Sequence, residues 1–543
     1  MSAAHQHDGP RRSRSPSRSY SHASARPMTS ADPVRRTIAH PGRRATPLAA
    51  AAAATLVLLL TACALPKAPT YERPAAPVPT ALPALPPLPV VAAAASAPAA
   101  SSALRVGDLV ASPWSWRQLL TEPRQQRLVE LALANNRDLR AAVLVVERTR
   151  AQAEIVEADR LPTVGAGLNA SRSPSPVTGK QGNAFSAGLQ VSGWELDFFG
   201  RIANLSEAAK AQVLASAAGQ RNTELALATA VIAVDLSLVA DGQLLAITEA
   251  TLASRRSALA LTALREKVGA ASALELQAAQ SLVAQAEVAL AQTRRQRQLD
   301  LNALQALVGA PVPAELLPAP IEPAPAGTAA AGGAAPTVTE LRLPILPALP
   351  VLAAVPANLA SEVLLERPDV LQAEQQLIGA TANIGAARAA YWPRISLTGS
   401  AGLASNQLGN LLQAGSLAWT LAGQALVTVF DSGRIAAGVK VSELNRDIAI
   451  TAYEKAVQTA FRETADGLAG LQGWREQVEA QERLRAATAD TARLTALRHS
   501  RGAASELERL DAERNLLAAD QALVATRLAE AQNRVALFKA LGR

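Results

Sequence analysis

Several residue types are scarce in this chain of 543 residues, and each scarcity excludes a class of site. Cysteine occurs once, at Cys63, so no disulfide bond can form within the chain. Four of the five histidines precede position 41, which leaves only His499 for a metal cluster or a catalytic triad. His499 lies in a polar hairpin region, where we expect an exposed histidine without a function. We therefore predict that the chain is not an enzyme and has no catalytic residue and no metal ligand.

Aromatic residues make up 3% of the chain, although hydrophobic residues make up 49%. Alanine and leucine supply most of the apolar residues. Alanine is the strongest helix former, and its small side chain lets helices approach closely. A compact enzyme core normally contains more aromatic residues, so this composition favours long, closely packed helices.

The excess of positive charge lies mostly in the first part of the chain. The net charge of +8 includes nine arginines and two aspartates in residues 1–62. From position 63 onward, 44 basic residues are matched by 43 acidic ones. A nucleic-acid-binding domain carries its basic excess on the folded part. The charge therefore argues against nucleic acid as a partner.

Proline separates helical from extended parts of the chain. Residues 118–161 contain one proline and residues 205–268 contain none, so both are predicted to be helices. Proline-rich sequence fills 66–98 and 311–356, where extended segments are expected.

The Gly332-Gly333 pair, which lies in the second proline-rich segment, lacks the Lys-Ser/Thr that follows the glycine of a phosphate-binding loop. No nucleotide site is expected.

One large unit occurs twice along the chain. Leu264–Glu275 returns as Leu497–Glu508, at a constant offset of 233 positions. Upstream, Leu161-Pro162 corresponds to Trp392-Pro393. An offset this long is not that of a solenoid repeat, so the unit is a tandem duplication and the fold must use it twice.

Each unit contains two segments in which apolar and small polar residues alternate. They are Thr163–Ser171 and Phe185–Ser192, then Ile395–Ala401 and Leu417–Gln424. Alternation predicts strands, and one apolar face with one small polar face is typical of a transmembrane barrel. Four strands cannot close a barrel, and open edges in lipid leave backbone groups unpaired. Several chains must therefore share one barrel.

Six of the rare aromatic residues lie at the ends of these strands. Such a placement predicts the interfacial aromatic belt of a membrane protein. The alternative is a soluble hairpin with a core aromatic cluster. The predicted belt residues are Trp194, Phe198, Phe199, Tyr391, Trp392 and Phe430.

The N-terminal part is typical of a bacterial lipoprotein signal. Arg43-Arg44 precede an apolar run of 13 residues, Leu48–Leu60, which is too short to span a bilayer. The run ends in Leu60-Thr61-Ala62-Cys63, which resembles a lipobox, so Cys63 is expected to receive lipid. Met28 gives the signal a more usual length, and we expect the true start there.

The order helix, strand, strand, long helices in each unit resembles the TolC family of outer-membrane channel proteins. In particular, the chain resembles the OprM-type (NodT-like) lipoproteins of multidrug efflux systems. Besides Cys63, the resemblance is carried by Pro69–Pro79, by Val355–Val370 with its Arg367-Pro368-Asp369, and by Tyr391–Ile395.

The resemblance implies a mainly α protein with membrane β structure. A homotrimer would form a twelve-stranded outer-membrane β-barrel, with four strands per chain, continued by a long periplasmic α-helical barrel. It would be a passive exit channel for drugs and small molecules, supplied by an inner-membrane RND-type pump through a periplasmic adaptor protein. No cofactor is implied beyond the lipid on Cys63. The alternatives are the exit channel of a type I protein secretion system and a structural periplasmic coiled-coil lipoprotein.

The resemblance also gives roles to the two helical hairpins. Family channels close at this end with inward-facing acidic residues, which points to Asp511 first and Glu508 second. Arg498 and Arg501 would hold the closed state through ion pairs. The Gly-centred breaks would contact the adaptor through Val268, Gly269, Ala270, Ala271, Ser272, Gly502, Ala503, Ala504 and Ser505.

These observations divide the chain into five parts. A leader occupies 1–62, and the lipid anchor with a proline-rich arm occupies 63–117. The first repeat spans 118–310 and the second spans 362–543. The proline- and alanine-rich linker at 311–361 separates them.

Overall fold

The computed structural model describes residues 68–79, 116–174, 179, 181–321 and 361–542. The leader, Cys63 and most of the proline-rich linker lie outside these residues. The described part contains eight α-helices, short 3-10 turns and one sheet of four strands. The order helix, strand, strand, long helices occurs twice within it, as predicted.

The helices are α1 (Trp116–Leu119), α2 (Pro123–Asn135), α3 (Arg137–Ala158), α4 (Arg201–Lys267), α5 (Ala273–Val308), α6 (Pro368–Arg388), α7 (Arg434–Ser500) and α8 (Glu506–Leu541). The strands are β1 (Val164–Pro174), β2 (Gln181–Leu196), β3 (Arg394–Ser405) and β4 (Leu417–Leu426).

The helical prediction for 118–161 is confirmed over most of this tract, but the helix is interrupted before Pro123 and again at Asn136, which separates α2 from α3. Its backbone is extended, and its side chain accepts a hydrogen bond from the Leu139 amide, which caps α3. Its side-chain amide donates to the Leu307 carbonyl at 2.8 Å. The turn is therefore fixed by a contact with α5, which periodicity along α2 and α3 does not reveal.

The four strands form one antiparallel sheet in the order β1-β2-β3-β4. The predicted strands are confirmed, and β1 and β2 continue past the alternating segments into polar sequence, where Arg172 pairs with Asn183. The register places apolar side chains on one face, in rows such as Leu168, Ala187, Leu403 and Leu417. An adjacent row on the opposite face is Gly167, Gly188, Gly402 and Ala418.

Two of these glycines allow β2 and β3 to approach closely. A Cβ atom at Gly188 would lie 2.5 Å from the Ala401 carbonyl oxygen. One at Gly402 would meet the Ala187 carbonyl oxygen at a similarly short distance. A larger residue at either position would push the strands apart, so glycine here is required by packing.

The two long hairpins have matching lengths. Both α4 and α7 have 67 residues, and both α5 and α8 have 36. Each pair of helices begins and ends 233 positions apart. At 1.5 Å per residue, α4 and α7 are each about 100 Å long.

Within one chain, α4 lies at the centre of the helices. In the described part of the chain, α4 makes extensive contacts with α3, α5, α6 and α8, whereas the main helix contacts of α7 are with α6 and α8. The largest core cluster joins α2 and α4 through residues such as Leu128, Val231 and Ile232. An 18-residue stretch of α4 is apolar enough to cross a membrane, but 56% of it is buried inside the protein, as a central helix requires.

Candidate functional site

The six predicted belt residues all lie at the end of the sheet that joins the helices. β1 and β3 begin there, and β2 and β4 end there. The rings of Phe199 and Trp392 stack with centroids 5.3 Å apart. The indole nitrogen of Trp194 donates to the Arg160 carbonyl at 3.2 Å. Phe198, Tyr391 and Phe430 are exposed.

An aromatic residue at the other end of the sheet was not predicted as part of a belt. Trp419 is 73% exposed and follows the first residue of β4 by two positions. Its register partner is Ala401, on the apolar face. The alternation in β4 places Trp419 on that face, and its distance from the helices places it at the opposite rim.

The opposite face of the sheet carries small and polar side chains. The hydroxyl groups of Ser400 and Thr420 lie 2.7 Å apart and share a hydrogen bond. Gln190 pairs with Gly165 on β1 and with Ser400 on β3. By contrast, Leu168, Leu417 and Leu421 on the apolar face are all strongly exposed. The sheet is therefore apolar on one side and hydrophilic on the other, and no described residue of the chain covers either side.

The two hairpin ends, residues 268–272 and 501–505, have the same backbone geometry. Gly269 and Gly502 adopt φ values of 74° and 71°. The Ala270 amide donates to the Arg265 carbonyl, and the Ala503 amide donates to the Arg498 carbonyl at 2.8 Å. This pattern with a left-handed glycine is typical of a helix C-terminus.

The helices that follow both hairpin ends begin with a capping box. The hydroxyl of Ser505 accepts from the Glu508 amide, and the Glu508 carboxylate accepts from the Ser505 amide at 3.1 Å. Ser272 and Glu275 make the same pair of bonds in the first hairpin. Glu508, predicted as a gate residue, is thus engaged at the N-terminus of its own helix.

The other predicted gate residues lie near the second hairpin end but do not pair with one another. Asp511 is half-exposed and forms an ion pair with Arg514, one turn away, at 3.0 Å. Arg498 donates to the Ala503 carbonyl at 3.1 Å and does not contact an acidic residue in the described part. Arg501 is exposed at the C-terminus of α7.

His499 is not the exposed histidine that the sequence predicted. Its side chain is 11% exposed, and its Nε2 lies 3.0 Å from a carboxylate oxygen of Glu506. The burial arises because α7 and α8 pack together beside the hairpin end. Glu506 also accepts two hydrogen bonds from the Arg509 guanidinium group, one from Nε at 3.0 Å and one from Nη2.

Arg509 extends this contact into a buried ion network. It binds Glu513 on the same helix, and Glu513 lies 3.5 Å from Arg255 on α4. Arg255, Arg509 and Glu513 are each less than 10% exposed. Burial raises the pKa of the Glu513 carboxyl, although Arg509 and Arg255 oppose that shift. The network joins the first hairpin to the second, and sequence analysis did not find it.

Two further carboxylates are buried in α4. Asp235 is fully buried. Its carboxylate accepts hydrogen bonds from Nη1 and Nη2 of Arg124 at 2.6 and 2.8 Å, and from the side-chain amide of Gln125. Burial, together with a hydrogen bond to Asp300 on α5, raises the pKa of Asp241 to about 7. In the described part of the chain, no group of three His, Cys, Asp or Glu side chains is arranged to hold a metal ion.

The segment at residues 68–79 is attached to α6. Arg73 binds Glu374 with two hydrogen bonds, at 2.7 and 2.9 Å, and the Tyr71 hydroxyl donates to Glu374 at 2.8 Å. Burial and the neighbouring carboxylate raise the pKa of Tyr71. Ala68 lies beside Gly385, close to the end of α6 that leads into β3.

The model of the outer membrane efflux protein family matches residues 128–310 and 359–543. The chain belongs to this family. The toluene efflux pump outer membrane protein TtgC of Pseudomonas putida is 37% identical, with 90% of this chain and 94% of TtgC aligned. Outer membrane protein OprJ of Pseudomonas aeruginosa is 35% identical over 90% of this chain and 94% of its own length.

Solved structures show the same architecture. The open state of the MtrE outer membrane channel of Neisseria gonorrhoeae superimposes with a TM-score of 0.73 at 31% identity, covering 88% of this chain and 98% of MtrE. A membrane protein from Pseudomonas aeruginosa gives a TM-score of 0.73 at 33% identity, covering 88% and 99%. The predicted TolC-type fold and outer-membrane efflux function are confirmed. The protein is an outer-membrane channel that extends into the periplasm, and its family is one of transport proteins.

Proposed function

We propose that three copies of this chain close one continuous duct, a twelve-stranded barrel followed by an α-helical barrel. The observation that supports this most directly is the sheet, whose edge strands β1 and β4 have no partner strand in the described part of a single chain. In lipid, each backbone N–H or C=O group left unpaired at an edge strand costs several kcal/mol, because it loses a hydrogen bond that water cannot replace. If β4 of each copy pairs with β1 of the next copy, no edge strand remains.

The helices support the same closure. We call the contact of α4 with α6 and α8 the internal seam, and the contact of α7 with α3 and α5 of the next copy the copy seam. Ala211 and Ala215 of α4 are 3% and 1% exposed at the internal seam. Their counterparts in α7, Leu444 and Ile448, are 48% and 66% exposed. A second copy would cover these side chains in the same way that α6 covers α4.

The duct is passive and receives its cargo from partners. TtgC is named as the outer membrane protein of a toluene efflux pump, and OprJ is named as an outer membrane protein. Other relatives are named for the efflux of antibiotics or solvents. We infer that this chain carries drugs and small molecules from an inner-membrane RND-type pump. The two hairpin ends, with exposed Val268, Leu274 and Leu507 beside them, are the surfaces for a periplasmic adaptor.

Lipid on Cys63 fits the position of the arm. Ala68 lies beside Gly385, and β3 begins nine residues after Gly385, at Arg394. The arm that follows Cys63 in the sequence is thus held close to the end of the sheet that carries the aromatic belt, and we infer that an acyl chain on Cys63 enters the membrane.

Asp511 remains our candidate for the closing ring at the hairpin ends. Three copies would place three of its carboxylates around one axis, and such a ring favours cations over anions. Glu508 is a weaker candidate because it caps α8. Replacement of Asp511 by alanine should lower cation selectivity in planar bilayers, and unchanged selectivity would remove Asp511 from the gate.

The test of the duct is electrophoresis and conductance of protein extracted from membranes. We expect a band at trimer mass on unheated gels that converts to monomer on boiling, and discrete conductance steps in planar bilayers. A tethered periplasmic coiled coil would give neither. Deletion should increase susceptibility to drugs or solvents, whereas loss of a secreted polypeptide with unchanged susceptibility would favour the secretion channel.

A further inference from the structure

Charged residues are rare in the sheet, and one of them stands apart from the others. The four strands contain three charged residues, which are Arg172 on β1, Glu195 on β2 and Arg394 on β3. Glu195 and Arg394 lie at the end of the sheet that joins the helices, where Glu195 accepts two hydrogen bonds of 2.7 Å from Arg201. Arg172 lies at the opposite end, two residues before the end of β1.

Arg172 belongs to the apolar face of the sheet. It follows Leu168 by four positions on β1, so alternation places both side chains on the same face. Asn183 of β2 lies directly opposite Arg172, and Phe185 is two positions further along β2 on that face. Every other strand residue on this face is uncharged. Because the apolar face of a membrane barrel is the one that meets lipid, the Arg172 side chain is directed away from the lumen.

The height of Arg172 brings it to the level of the lipid headgroups. It is eight residues from Val164, the first residue of β1, which is about 27 Å along a strand. A strand tilt of about 40° makes this about 20 Å across the membrane, where the apolar band of a barrel is about 25 Å tall. An arginine on the lipid face is strongly destabilising at the bilayer centre and nearly neutral at the interface. Its long side chain can extend over the remaining distance to the headgroups.

The protein supplies no carboxylate for Arg172 at this end of the sheet. Residues 160–194 contain β1, its connection to β2 and most of β2, and they include no Asp or Glu. Residues 395–430, which contain nearly all of β3 and the whole of β4, include none either. Among the described residues, the exposed Arg172 side chain makes no ion pair and no hydrogen bond. Every copy has the same sequence, so the negative charge that balances Arg172 has to come from outside the protein.

In the proposed trimer, β4 of the next copy adds an aromatic ring to this surface. In the duplicated unit, Arg172 corresponds to Leu403, which pairs with Ala187 on β2. The counterpart of Ala187 on β4 is Leu421, or Trp419 if the bulge in β2 has no equivalent there. Trp419 of the next copy is therefore directly opposite Arg172 or diagonal to it, and both positions are within reach of an aromatic side chain.

We propose that the outer rim of the barrel binds the phosphate group of an outer-leaflet lipid at each junction between copies. This placement rests on the proposed trimer. The planar guanidinium group of Arg172 donates two hydrogen bonds to phosphate oxygens, and the side-chain amide of Asn183 beside it is a further donor. Trp419 of the next copy packs against the lipid below the headgroup, as indole rings do at membrane interfaces. A lipid held in this way contacts two copies and stabilises the trimer.

The test adds lipid A, the phosphorylated anchor of lipopolysaccharide, to delipidated trimers and counts the bound molecules by native mass spectrometry. We expect Arg172→Gln to bind lipid A about tenfold more weakly than the unaltered protein, because hydrogen bonds to a charged group are lost. Arg394→Gln is the matched control, since it removes an exposed strand arginine from the hydrophilic face, and it should leave binding unchanged. Arg172→Lys keeps the charge without the planar fork and should bind several-fold more weakly.

Two further arms identify what is bound. Lipid A without its phosphates should bind equally to the unaltered protein and to Arg172→Gln. Inorganic phosphate at the same concentration should not displace lipid A, because the acyl chains supply much of the contact. Lipid A should also raise the temperature at which trimers dissociate on gels, and this rise should be smaller in Arg172→Gln.

The inference is overturned if the glutamine variants of Arg172 and Arg394 bind lipid A alike in intact trimers. It is equally overturned if the dephosphorylated lipid binds the unaltered protein as tightly as lipid A does, or if inorganic phosphate displaces lipid A. Absence of trimers in the unaltered protein would instead defeat the proposed function.

Discussion

The two hairpins share one backbone design and differ in what surrounds them. Their helices match in length, and both hairpin ends combine a left-handed glycine with a capping box. In α4, however, 22 residues are buried, whereas in α7 only seven are. The duplication therefore preserved the shape of the unit while its side chains diverged according to position, because α4 is covered within the chain, whereas in the proposed trimer α7 is covered by another copy.

Single positions show the divergence clearly. Asp235 is fully buried against Arg124, whereas its counterpart Leu468 is a buried apolar residue. Glu157 pairs with Lys210 between α3 and α4, and the equivalent pair between α6 and α7 is Arg388 with Glu443. The second pair has the opposite polarity, so the fold requires complementary charge at this position and not a particular sign.

The largest difference in stability between variants of the two hairpins should appear when the buried ion network of Arg255, Arg509 and Glu513 is broken. Glu513→Ala leaves Arg255 and Arg509 buried without one of their partners, which should reduce stability by about 3 kcal/mol or more. Its counterpart Gln280→Ala, at an exposed position, should change stability by less than about 0.5 kcal/mol. Thermal unfolding of the extracted protein checks both, and equal effects would remove the distinction between the hairpins.

The second expected effect depends on pH and is specific to the first hairpin. Asp241 has a folded pKa of about 7, which is above its unfolded value, so its protonated form favours the folded state. The stabilisation is complete below the unfolded pKa and is lost as pH rises through about 7. Asp241→Asn should therefore raise stability at pH 8 by about 1–3 kcal/mol relative to the parent. Unfolding measured at pH 5 and pH 8 should show a smaller decrease for the variant, and equal decreases would contradict the assignment.

A smaller and equal effect is expected at the two capping boxes. Ser505→Ala and Ser272→Ala each remove one capping hydrogen bond, at a cost of about 1 kcal/mol. Ser→Gly at the same positions should cost only a few tenths of that value. Hydrogen exchange of the first turn of α8 and α5 measures the effect locally. Protection that changes in one hairpin only would break the equivalence of the two ends.

The smallest expected effect concerns the pair with reversed polarity. Glu157→Gln and Glu443→Gln each remove one partner of a partly exposed ion pair, worth up to about 1 kcal/mol. Exchanging Glu157 and Lys210 for each other should restore stability, since the second repeat already carries the opposite order. If the exchanged pair remains as unstable as the single variant, sign as well as pairing matters at this position.

Most of the framework could be predicted from periodicity, because strand faces and long helices depend on local sequence. The alternation in β1 to β4 gave the apolar and polar faces, and the constant offset gave the two equal hairpins. The break at Asn136 could not be predicted, since it is fixed by the Leu307 carbonyl. His499 was misjudged for the same reason, because its burial depends on packing between α7 and α8.

The buried ion network was beyond sequence reasoning for a related cause. Arg255 and Glu513 lie in different repeats, and nothing in the pattern of either helix indicates that they meet. Glu508 was predicted as a gate residue from the family resemblance, and that role stays a prediction. Ser505, three positions earlier, was the sequence signal for the capping box that Glu508 completes. The Ser272 and Glu275 pair repeats that signal in the first hairpin.

Counting the chains in one particle tests the shared barrel most directly. The protein would be co-expressed with a copy that carries a small mass tag, extracted in detergent, and weighed by native mass spectrometry. Random assembly of three copies predicts four species, which contain zero, one, two or three tagged chains. Two species of single-chain mass would show that one copy stands alone, and the account of a duct built from three sheets would be wrong.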